Sequence, residues 1–348
     1  MLICIGAFAY LQENQLSNSI FVLQEMNQFK TTIGKDIEAA KIFLRNGLVV
    51  GIPTETVYGL AGNALDEDAV LSIFTIKDRP HFDPLIVHTH SPAEIEKYVT
   101  EIPQKARLLM QQFMPGALTL LLKKRGVIPD IITSGLDTVA IRIPNHPLTL
   151  QLLRELPFPL AAPSANPFGY ISPTTAAHVY DQLKGKIPYI LDGGATTVGV
   201  ESTIVGFEGN DAIVYRLGGV AIEDIERVIG KVEVSINAAS NPKTPGMLKS
   251  HYAPTKELVF DDKDRLEELK REGSRVGVIC FDKALDGFNK NDQLILSTMG
   301  NLKEAAKNLF AAMRTLDTGE VDIIYAVKFP DEELGRAIND RLKRASVK

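Results

Sequence analysis

The pair of cations Lys77 and Arg79 is the first feature of the sequence that could do chemistry. They lie in the segment Ile76-Lys-Asp-Arg-Pro80, between a predicted helix and a predicted strand. Two cations beside a proline-stiffened turn form a compact positive site suited to an anionic ligand such as a nucleotide phosphate. The alternative is that both cations cap the carboxyl end of the helix.

Two arginines favour the anionic ligand. Arg142 in Ala-Ile-Arg-Ile-Pro and Arg216 in Tyr-Arg-Leu-Gly-Gly each stand among apolar, strand-like residues. Arginine is rarely placed in an apolar setting unless its charge is paired. We therefore expect these two arginines to converge with Lys77 and Arg79 on a polyphosphate.

Hydroxyl and amide side chains cluster in four turns that follow apolar runs. In any single turn such residues commonly bond to the local backbone, and Ser172-Pro173 could simply begin a helix over 174–183. Four clusters at strand ends favour a ligand site, because open α/β sheets bind ligands outside the ends of their strands. The clusters are Thr54-Glu55-Thr56, Ser164-Ala165-Asn166, Ser172-Pro173-Thr174 and Glu201-Ser202-Thr203.

Several common catalytic motifs are absent from the sequence. It contains no G-x-x-x-x-G-K-[ST] phosphate loop, no G-x-G-x-x-G fingerprint and no G-x-S-x-G nucleophile elbow. His88 and His90 are predicted to share one face of a strand, where two imidazoles could clamp a metal. No third ligand has suitable spacing, so we expect a hydrogen-bonding role for His88 and no metal site.

Alternating helices and strands must position these side chains. Such alternation is typical of an α/β or α+β sheet domain, which we place at residues 30–237. Hydrophobic spacing predicts helices over 33–45, 66–76, 92–99 and 104–113, and strands over 48–52, 84–88, 118–123 and 139–143.

A stretch rich in proline and small polar residues, 238–255, interrupts this rhythm and is predicted to be a linker. Residues 1–29 precede the first domain as an N-terminal extension. Residues 256–348 are predicted to form a second, smaller α/β domain. Its predicted strands cover 257–260, 275–281 and 322–327, and its predicted helices 266–271, 301–316 and 332–343.

The composition excludes several classes of protein. The chain has 348 residues with 38 basic and 43 acidic side chains, a formal charge of −5, so we expect no tight binding of nucleic acid. Two distant cysteines, Cys4 and Cys280, favour a reducing cytoplasm. The apolar start is not preceded by a basic residue, which argues against a signal peptide, and no segment is long enough to span a membrane.

In combination, these and further segments resemble the YrdC/Sua5 family along about 200 residues, in the family's order and spacing. Beyond the linker, Leu334-Gly335-x-Ala337-Ile338-x-x-Arg341-Leu342 is similar to the family's smaller C-terminal domain. The matching segments of the first domain are Pro53-Thr-Glu-Thr-Val-Tyr-Gly-Leu60, Lys77-x-Arg79-Pro80, Pro84-Leu85, Pro115-Gly116-Ala-Leu-Thr119, Arg142-Ile-Pro-x-His146, Pro163-Ser-Ala-Asn166, Ser172-Pro-Thr174 and Gly199-Val-Glu-Ser-Thr-Ile-Val205.

The resemblance implies a YrdC-like twisted mixed sheet with flanking helices, followed by a Rossmann-like C-terminal domain. It also implies a nucleotidyltransferase, threonylcarbamoyl-AMP synthase. Such an enzyme converts L-threonine, bicarbonate (or CO₂) and ATP, with Mg²⁺, into threonylcarbamoyl adenylate and pyrophosphate. The product passes to a tRNA threonylcarbamoyl transferase complex that makes N6-threonylcarbamoyladenosine (t6A). Because the enzyme makes a small molecule for a partner, a mildly acidic chain suits this role.

Matching positions carry the family's binding residues over to this chain. Lys77 and Arg79 are expected to act in catalysis by neutralising charge on the phosphates, and no covalent nucleophile is required. The threonine site implied by the resemblance comprises Thr56, His88, Arg142, the backbone around Ala162, and Ser202. The ATP site comprises Lys77, Arg79, Asp83, Thr138, Ser164, Asn166, Ser172, Arg216 and Tyr252.

The linker motif Thr244-Pro-Gly-Met247 with His251-Tyr252-Ala-Pro254 is similar to the family's active-site cover, a lid that would exclude water. The alternative is a mere spacer. The family more often has Asn where Asp83 stands, and a carboxylate near phosphate repels unless a metal ion or another cation lies beside it.

Two other functions compete with the synthase. An RNA-binding module is disfavoured by the lack of a basic excess. A carbamoyl-handling domain like that of hydrogenase maturation proteins is disfavoured because its zinc-finger-like cysteines and acylphosphatase module are absent.

Overall fold

The computed structural model describes residues 29–209, 211–236 and 250–347. Most of the predicted N-terminal extension and the linker motif at 244–247 lie outside these residues. None of the described helices has the length and apolarity that crossing a bilayer requires.

The first sheet is mixed and carries eleven strands within the described residues, in the order β1-β8-β2-β3-β7-β4-β6-β5-β9-β10-β11. Its central strands are buried on both faces, and β4, β6 and β7 bring the chain segments of the candidate site together. The bounds are β1 Thr32–Gly34, β2 Val50–Ile52, β3 Gly59–Asn63, β4 Ile86–His88, β5 Leu118–Lys123, β6 Thr138–Arg142, β7 Leu160–Ala161, β8 Tyr189–Leu191, β9 Thr203–Glu208, β10 Asp211–Arg216 and β11 Glu233–Val234.

Helices pack against this sheet through their apolar faces. In the helix Glu67–Lys77, for example, Ile73 and Phe74 are fully buried in the core that lies between the helix and the strands. Their bounds are α1 Ile37–Arg45, α2 Glu67–Lys77, α3 Pro92–Tyr98, α4 Gln104–Phe113, α5 Asp130–Thr133, α6 Pro147–Glu155, α7 Ala176–Leu183 and α8 Ile222–Ile229.

The second sheet is parallel and has four described strands, in the order β12-β15-β13-β14. It begins at Glu257, after the predicted linker. The bounds are β12 Glu257–Phe260, α9 Lys263–Glu272, β13 Val276–Cys280, a short 3₁₀ helix Lys290–Asp292, β14 Gln293–Ile295, α10 Leu302–Thr318, β15 Ile323–Ala326 and α11 Glu333–Ala345. The two-sheet α/β architecture confirms the predicted fold class.

The two domains share one apolar core. Val57, Ile171 and Val200 of the first domain belong to the same buried cluster as Ala306 and Phe310 of helix α10. At Gly199 an added Cβ would collide with the Lys307 backbone, and the positive φ of 79° also favours glycine. The second domain therefore packs directly on the loops that precede and follow the first domain's strands.

Two local predictions are wrong. Residues 33–36 are not helical, because 32–34 pair in parallel with Tyr189–Leu191, and helix α1 begins only after the N-cap Asp36. The strand containing His88 ends at that residue, so His88 and His90 do not share a strand face. The described residues include no group of three or more histidine, cysteine or acidic side chains that could hold a metal ion.

Candidate active site

A small buried cavity of about 50 Å³ lies where the two domains meet. It brings together eight of the residues predicted for the site, most of them from separate loops and strands of the first sheet. The predicted residues that line it are Thr56, Arg79, His88, Arg142, Ala162, Ser164, Arg216 and Tyr252; Val57, Pro84, Leu85, Ile86, Pro163, Glu201 and His251 complete the lining.

The remaining predicted residues lie outside the lining. Lys77, Asp83 and Ser202 are buried, and each contacts a lining residue. Asn166 is also buried, and its carbonyl accepts from Lys77. Ser172 hydrogen-bonds to Glu201 of the lining. The last one, Thr138, lies at the start of β6, opposite Lys123.

Lys77 is the last residue of helix α2 and is 1% exposed. Its Nζ donates to the carbonyl oxygens of Ser164 at 2.6 Å and Asn166 at 2.5 Å. Burial, and next the positive charge of Arg79, lower the pKa of Lys77 well below its ordinary value. The side chain leaves its own helix to fix the Ser164–Asn166 turn, so the capping alternative is wrong for Lys77.

Arg79 faces the cavity and contacts the turn that follows it. Its Nε donates to the Asp83 carbonyl at 3.0 Å and its Nη2 to the Pro84 carbonyl at 2.8 Å. The Arg79 side chain therefore does not cap helix α2, although its backbone N–H donates to the Phe74 carbonyl at 2.9 Å. The guanidinium also lies 5.8 Å from the centroid of the Phe168 ring.

The carboxylate of Asp83 is fully buried and lies 2.9 Å from Arg79 Nη2. This distance makes an ion pair, but the angles do not make a hydrogen bond, and neither oxygen has a donor within the described residues. Burial raises the pKa of Asp83, while Arg79 and then Lys77 oppose that rise. A cation thus lies beside the unusual carboxylate, which removes the expected repulsion of phosphate.

Arg142 is the last residue of strand β6 and forms an ion pair with Glu55, a residue that was not predicted for the site. Its Nη2 lies 2.7 Å from Oε1 of Glu55, and both side chains are more than 90% buried. Glu55 also accepts from the Asn145 backbone at 2.9 Å, and Arg142 Nε donates to the Gly116 carbonyl at 3.1 Å. Nη1 has no hydrogen-bond partner among the described residues, which leaves it available to an anion in the cavity.

Arg216 ends strand β10 and is held against Ser202. Its Nε donates to the Ser202 carbonyl at 3.0 Å and its Nη2 to the Ser202 hydroxyl at 2.9 Å. That hydroxyl also lies 2.7 Å from the hydroxyl of Thr119. Burial lowers the pKa of Arg216 to about 10, so the guanidinium stays charged near neutral pH.

His88 is an uncharged hydrogen-bonding group. Burial, and next the charge of Arg142, lower its pKa to about 3. Its Nδ1 lies 3.2 Å from the Ile86 carbonyl. The imidazole therefore adds polarity to a cavity whose positive charge comes from the three arginines.

We expect the buried His88 to make folding stability fall as the pH is lowered. The pKa of His88 is about 6.5 in the unfolded chain and about 3 in the folded protein. Between these pH values only the unfolded chain binds the proton, so lowering the pH favours unfolding. Between pH 6.5 and 5 this single histidine contributes a loss of about 2 kcal/mol. Urea unfolding of the wild type and of His88→Gln at both pH values measures it. An equal loss in the two proteins would contradict the assignment.

Glu201 lines the cavity and is, after Glu55, the second carboxylate of this region that was not predicted for the site. Its Oε1 accepts from the Ser172 hydroxyl at 2.6 Å and its Oε2 from Nε of Arg341 at 2.8 Å. Although burial raises its pKa, Arg341 and then Arg216 hold the pKa of Glu201 below the ordinary value. The carboxylate is ionised, and its position in the Gly199-Val-Glu-Ser-Thr segment was the available signal.

Ser172 does not begin a helix. Helix α7 starts at Ala176, with Thr175 as the N-cap. The Ser172 side chain points to Glu201 instead, so the capping alternative is wrong at this turn.

Tyr252 covers the cavity from the second-domain side and is 1% exposed. Its backbone has a positive φ of 67°, and its ring stacks on Phe310 at 5.6 Å. Burial raises the pKa of Tyr252 to about 12, so its hydroxyl is neutral. His251, which the linker motif contained but the predicted site did not, also lines the cavity and packs edge-on against Phe168.

Comparison with known families explains this arrangement. The family model Sua5_yciO_yrdC, described as "Telomere recombination", matches residues 42–218. A second model, "Threonylcarbamoyl-AMP synthase, C-terminal domain", matches residues 220–347. The fold and the cavity define a two-domain protein that joins a YrdC-like domain to a smaller parallel-sheet domain.

Full-length relatives extend the match across both domains. Threonylcarbamoyl-AMP synthase of Pyrococcus abyssi is 42% identical over 89% of this chain and 94% of its own length. That of Bacillus subtilis is 41% identical over 91% and 94%. The crystal structure of P. abyssi Sua5 complexed with L-threonine superposes with a TM-score of 0.84 at 40% identity, covering 91% of this chain and 97% of that one. This chain belongs to the YrdC/Sua5 family, in its two-domain Sua5 branch.

Proposed function

We propose that this chain is a threonylcarbamoyl-AMP synthase, forming L-threonylcarbamoyladenylate and pyrophosphate from L-threonine, bicarbonate (or CO₂) and ATP. The single observation that carries the proposal is the convergence of three guanidinium groups on one buried cavity that neutral polar groups also line. Both substrates that the cavity must hold, an amino acid and a nucleoside triphosphate, are anionic at their recognised ends. The relative whose structure contains L-threonine supports the amino-acid half.

In the proposed threonine half, Arg142 receives the substrate carboxylate. Its Nη1 is the available donor, and Glu55 fixes the direction of the guanidinium. Thr56, His88 and the backbone of Ala162 lie in the same lining and would orient the amine and the hydroxyl. Ser202 does not face the cavity here, and it contributes by holding Arg216.

In the proposed ATP half, Arg79 and Arg216 contact the phosphates. Ser164 and Tyr252 share the lining with them, whereas Lys77 acts through the carbonyls of the Ser164–Asn166 turn. Thr138 does not line the cavity, and its contact with ATP remains a prediction.

In the proposed reaction the threonine amine first adds to CO₂ with loss of a proton, or to bicarbonate with loss of water, and gives N-carboxythreonine. Its carbamate oxygen then attacks the α-phosphorus of ATP. An O–P bond forms, the bond from the α-phosphorus to its bridging oxygen breaks, and pyrophosphate leaves with the electron pair. The protein supplies alignment and positive charge where the phosphate oxygens gain charge. Arg79 and Arg216 are placed for this task, since both line the cavity and remain buried from water.

Mg²⁺ enters this proposal as the counter-ion of ATP. Among the described lining residues the only carboxylate is Glu201, and both of its oxygens are already engaged by Ser172 and Arg341. Mg²⁺ is commonly bound through substrate phosphates and water with few protein ligands. Bound in this way it neutralises charge on the triphosphate, and the protein needs no dedicated metal site.

The cavity is too small for the substrates in this conformation. It encloses about 50 Å³, whereas pockets for ligands of this class enclose roughly 300–1,000 Å³. We therefore propose that His251, whose Nδ1 has no hydrogen-bond partner among the described residues, gives way to ATP, while Tyr252 stays in the cavity wall.

The test is to incubate the full chain with ATP, L-threonine, bicarbonate and Mg²⁺. We expect pyrophosphate release that requires both threonine and bicarbonate, with the adenylate detected by mass spectrometry. Omission of threonine is the matched control for simple ATP hydrolysis. Pyrophosphate release that is independent of threonine would reject the synthase.

The product, a reactive mixed anhydride, needs a consumer. We propose that it passes to a tRNA threonylcarbamoyl transferase complex, as the family resemblance implies, and that this happens in the cytoplasm, the setting that the two distant cysteines favour. The charge of −5 supports a role in which the enzyme itself does not hold tRNA tightly.

A further inference from the structure

Arg341 is a fully buried arginine of the second domain that reaches the wall of the cavity. It lies on helix α11 and is 0% exposed. Its Nε lies 2.8 Å from Oε2 of Glu201, and its Nη2 donates to the Leu217 carbonyl at 2.8 Å. Its guanidinium carbon is 5.0 Å from the centroid of the Tyr252 ring. One side chain thus contacts two lining residues, Glu201 and Tyr252.

These contacts form a chain that leads to the candidate ATP site. Arg341 holds one oxygen of Glu201, and the other oxygen accepts from the Ser172 hydroxyl at 2.6 Å. Burial raises the pKa of Glu201, and among the charges that lower it again Arg341 has the largest effect. Without it, an unpaired buried carboxylate would face the space that receives the triphosphate.

The backbone of the second domain is shaped to bring Arg341 to this position. Helix α11 begins near Gly335, where an added Cβ would collide with the Pro330 carbonyl oxygen. Farther along that helix, Arg341 also holds Asp340 through Nη1 at 2.7 Å. The carboxylates of Asp340 and Glu201 therefore flank the same guanidinium, which stays positively charged and fixed in direction.

We propose that Arg341 is a positioning residue for ATP, contributed by the second domain. It neutralises Glu201, so that this carboxylate orients Ser172 without repelling the phosphates. It also supports the ring of Tyr252 at the cavity wall. The inference rests on the proposed function only in taking ATP as the ligand, and it assigns to the C-terminal domain a direct part in building the active site.

The alternative is that Arg341 merely ties two domains together. A control on the same helix separates the two roles, because Arg336 of α11 also crosses the interface. Its Nη1 lies 2.7 Å from Oε1 of Glu223 on helix α8, and neither residue lines the cavity. Arg336→Gln should remove an interdomain ion pair with little change in ATP affinity.

The experiment measures the dissociation constant of ATP by calorimetry on the full chain, beside thermal unfolding. Arg341→Gln is expected to weaken ATP binding about 30-fold or more, because it leaves a buried charge unpaired. The double variant Arg341→Gln/Glu201→Gln should recover ATP affinity to within about threefold of the wild type, since the amide carries no charge. Threonine affinity should change little in either.

Arg341→Lys keeps the proposal testable if Arg341→Gln does not fold. Lysine retains the charge but lacks the planar fork that contacts Glu201 and Leu217 together, so we expect roughly tenfold weaker ATP binding. Unchanged ATP affinity in a folded Arg341 variant would overturn the proposal. Failure of the double variant to recover affinity would also overturn it, because a purely architectural role predicts that result.

A direct measurement of ATP binding by the wild type distinguishes failure of this inference from failure of the proposed function. A wild type that binds ATP but releases no threonine-dependent pyrophosphate rejects the synthase and leaves the affinities to decide the role of Arg341. A wild type that binds no ATP overturns both.

Discussion

Replacing Lys77 by methionine is expected to lower kcat/KM for ATP about 100-fold, because the Ser164–Asn166 turn of the candidate ATP site loses the donor that fixes its position. The change leaves the carbonyls of Ser164 and Asn166 without the Lys77 Nζ donor that now lies 2.6 and 2.5 Å away. Ser164 lines the cavity, so a change in the position of this turn alters the wall that faces the substrate. Threonine-dependent pyrophosphate release under initial-rate conditions measures the effect.

Lys41 provides the control for Lys77. It is also a buried lysine of the first domain, 8% exposed, but it pairs with Glu38 and with Glu155 at 2.6 Å on helices remote from the cavity lining. Lys41→Met should reduce thermal stability and keep kcat/KM near that of the wild type. A Lys77 variant as active as the Lys41 variant would show that Lys77 has no role in the reaction.

The fold could be predicted from the sequence where local pattern and tertiary contacts agree. Helix α4 and strand β5 have the predicted bounds. The helix buries Ala106, Leu109 and Met110 at helical spacing, and the strand is a short apolar run that is buried within the sheet. Residues 33–36 were assigned to a helix, since Ile33 fits the helical spacing. Their actual partner is β8, which is distant in the sequence, and no local pattern contains that pairing.

The sequence predicted the cations and hydroxyls of the candidate site, but not the ion pairs that hold the cations in place. Arg142 and Arg216 were recognised because arginine in an apolar strand requires compensation, and both indeed line the cavity. The compensating carboxylates Glu55 and Glu201 were missed. Their partners Arg142 and Arg341 lie 87 and 140 residues away, so only the folded chain brings the charges together.

The domain boundaries and the roles of individual site residues remain predictions. The second sheet begins at Glu257, and Tyr252 contacts Phe310 of the second domain, so the last residues of the predicted linker are part of the interface. Such a contact depends on how two domains pack, which a proline-rich composition does not encode.

The ion pair between Arg142 and Glu55 leads to the second large prediction. Arg142→Met should weaken threonine binding about 100-fold or more, since it removes the guanidinium that is placed to receive the carboxylate. The same change strands a buried Glu55, at a cost of about 3–5 kcal/mol in the free energy of unfolding. Calorimetric titration with threonine and urea unfolding measure the two effects separately.

The double variant Arg142→Met/Glu55→Gln distinguishes a binding role from a structural one. Removing the stranded charge should restore most of the stability, because the amide oxygen of the substituted side chain can still accept from the Asn145 backbone as Glu55 does at 2.9 Å. Threonine binding should stay weak, since no cation replaces Arg142 beside Thr56 and His88. Recovery of threonine affinity together with stability would mean that Arg142 serves only to neutralise Glu55, and the carboxylate of threonine would then need another partner.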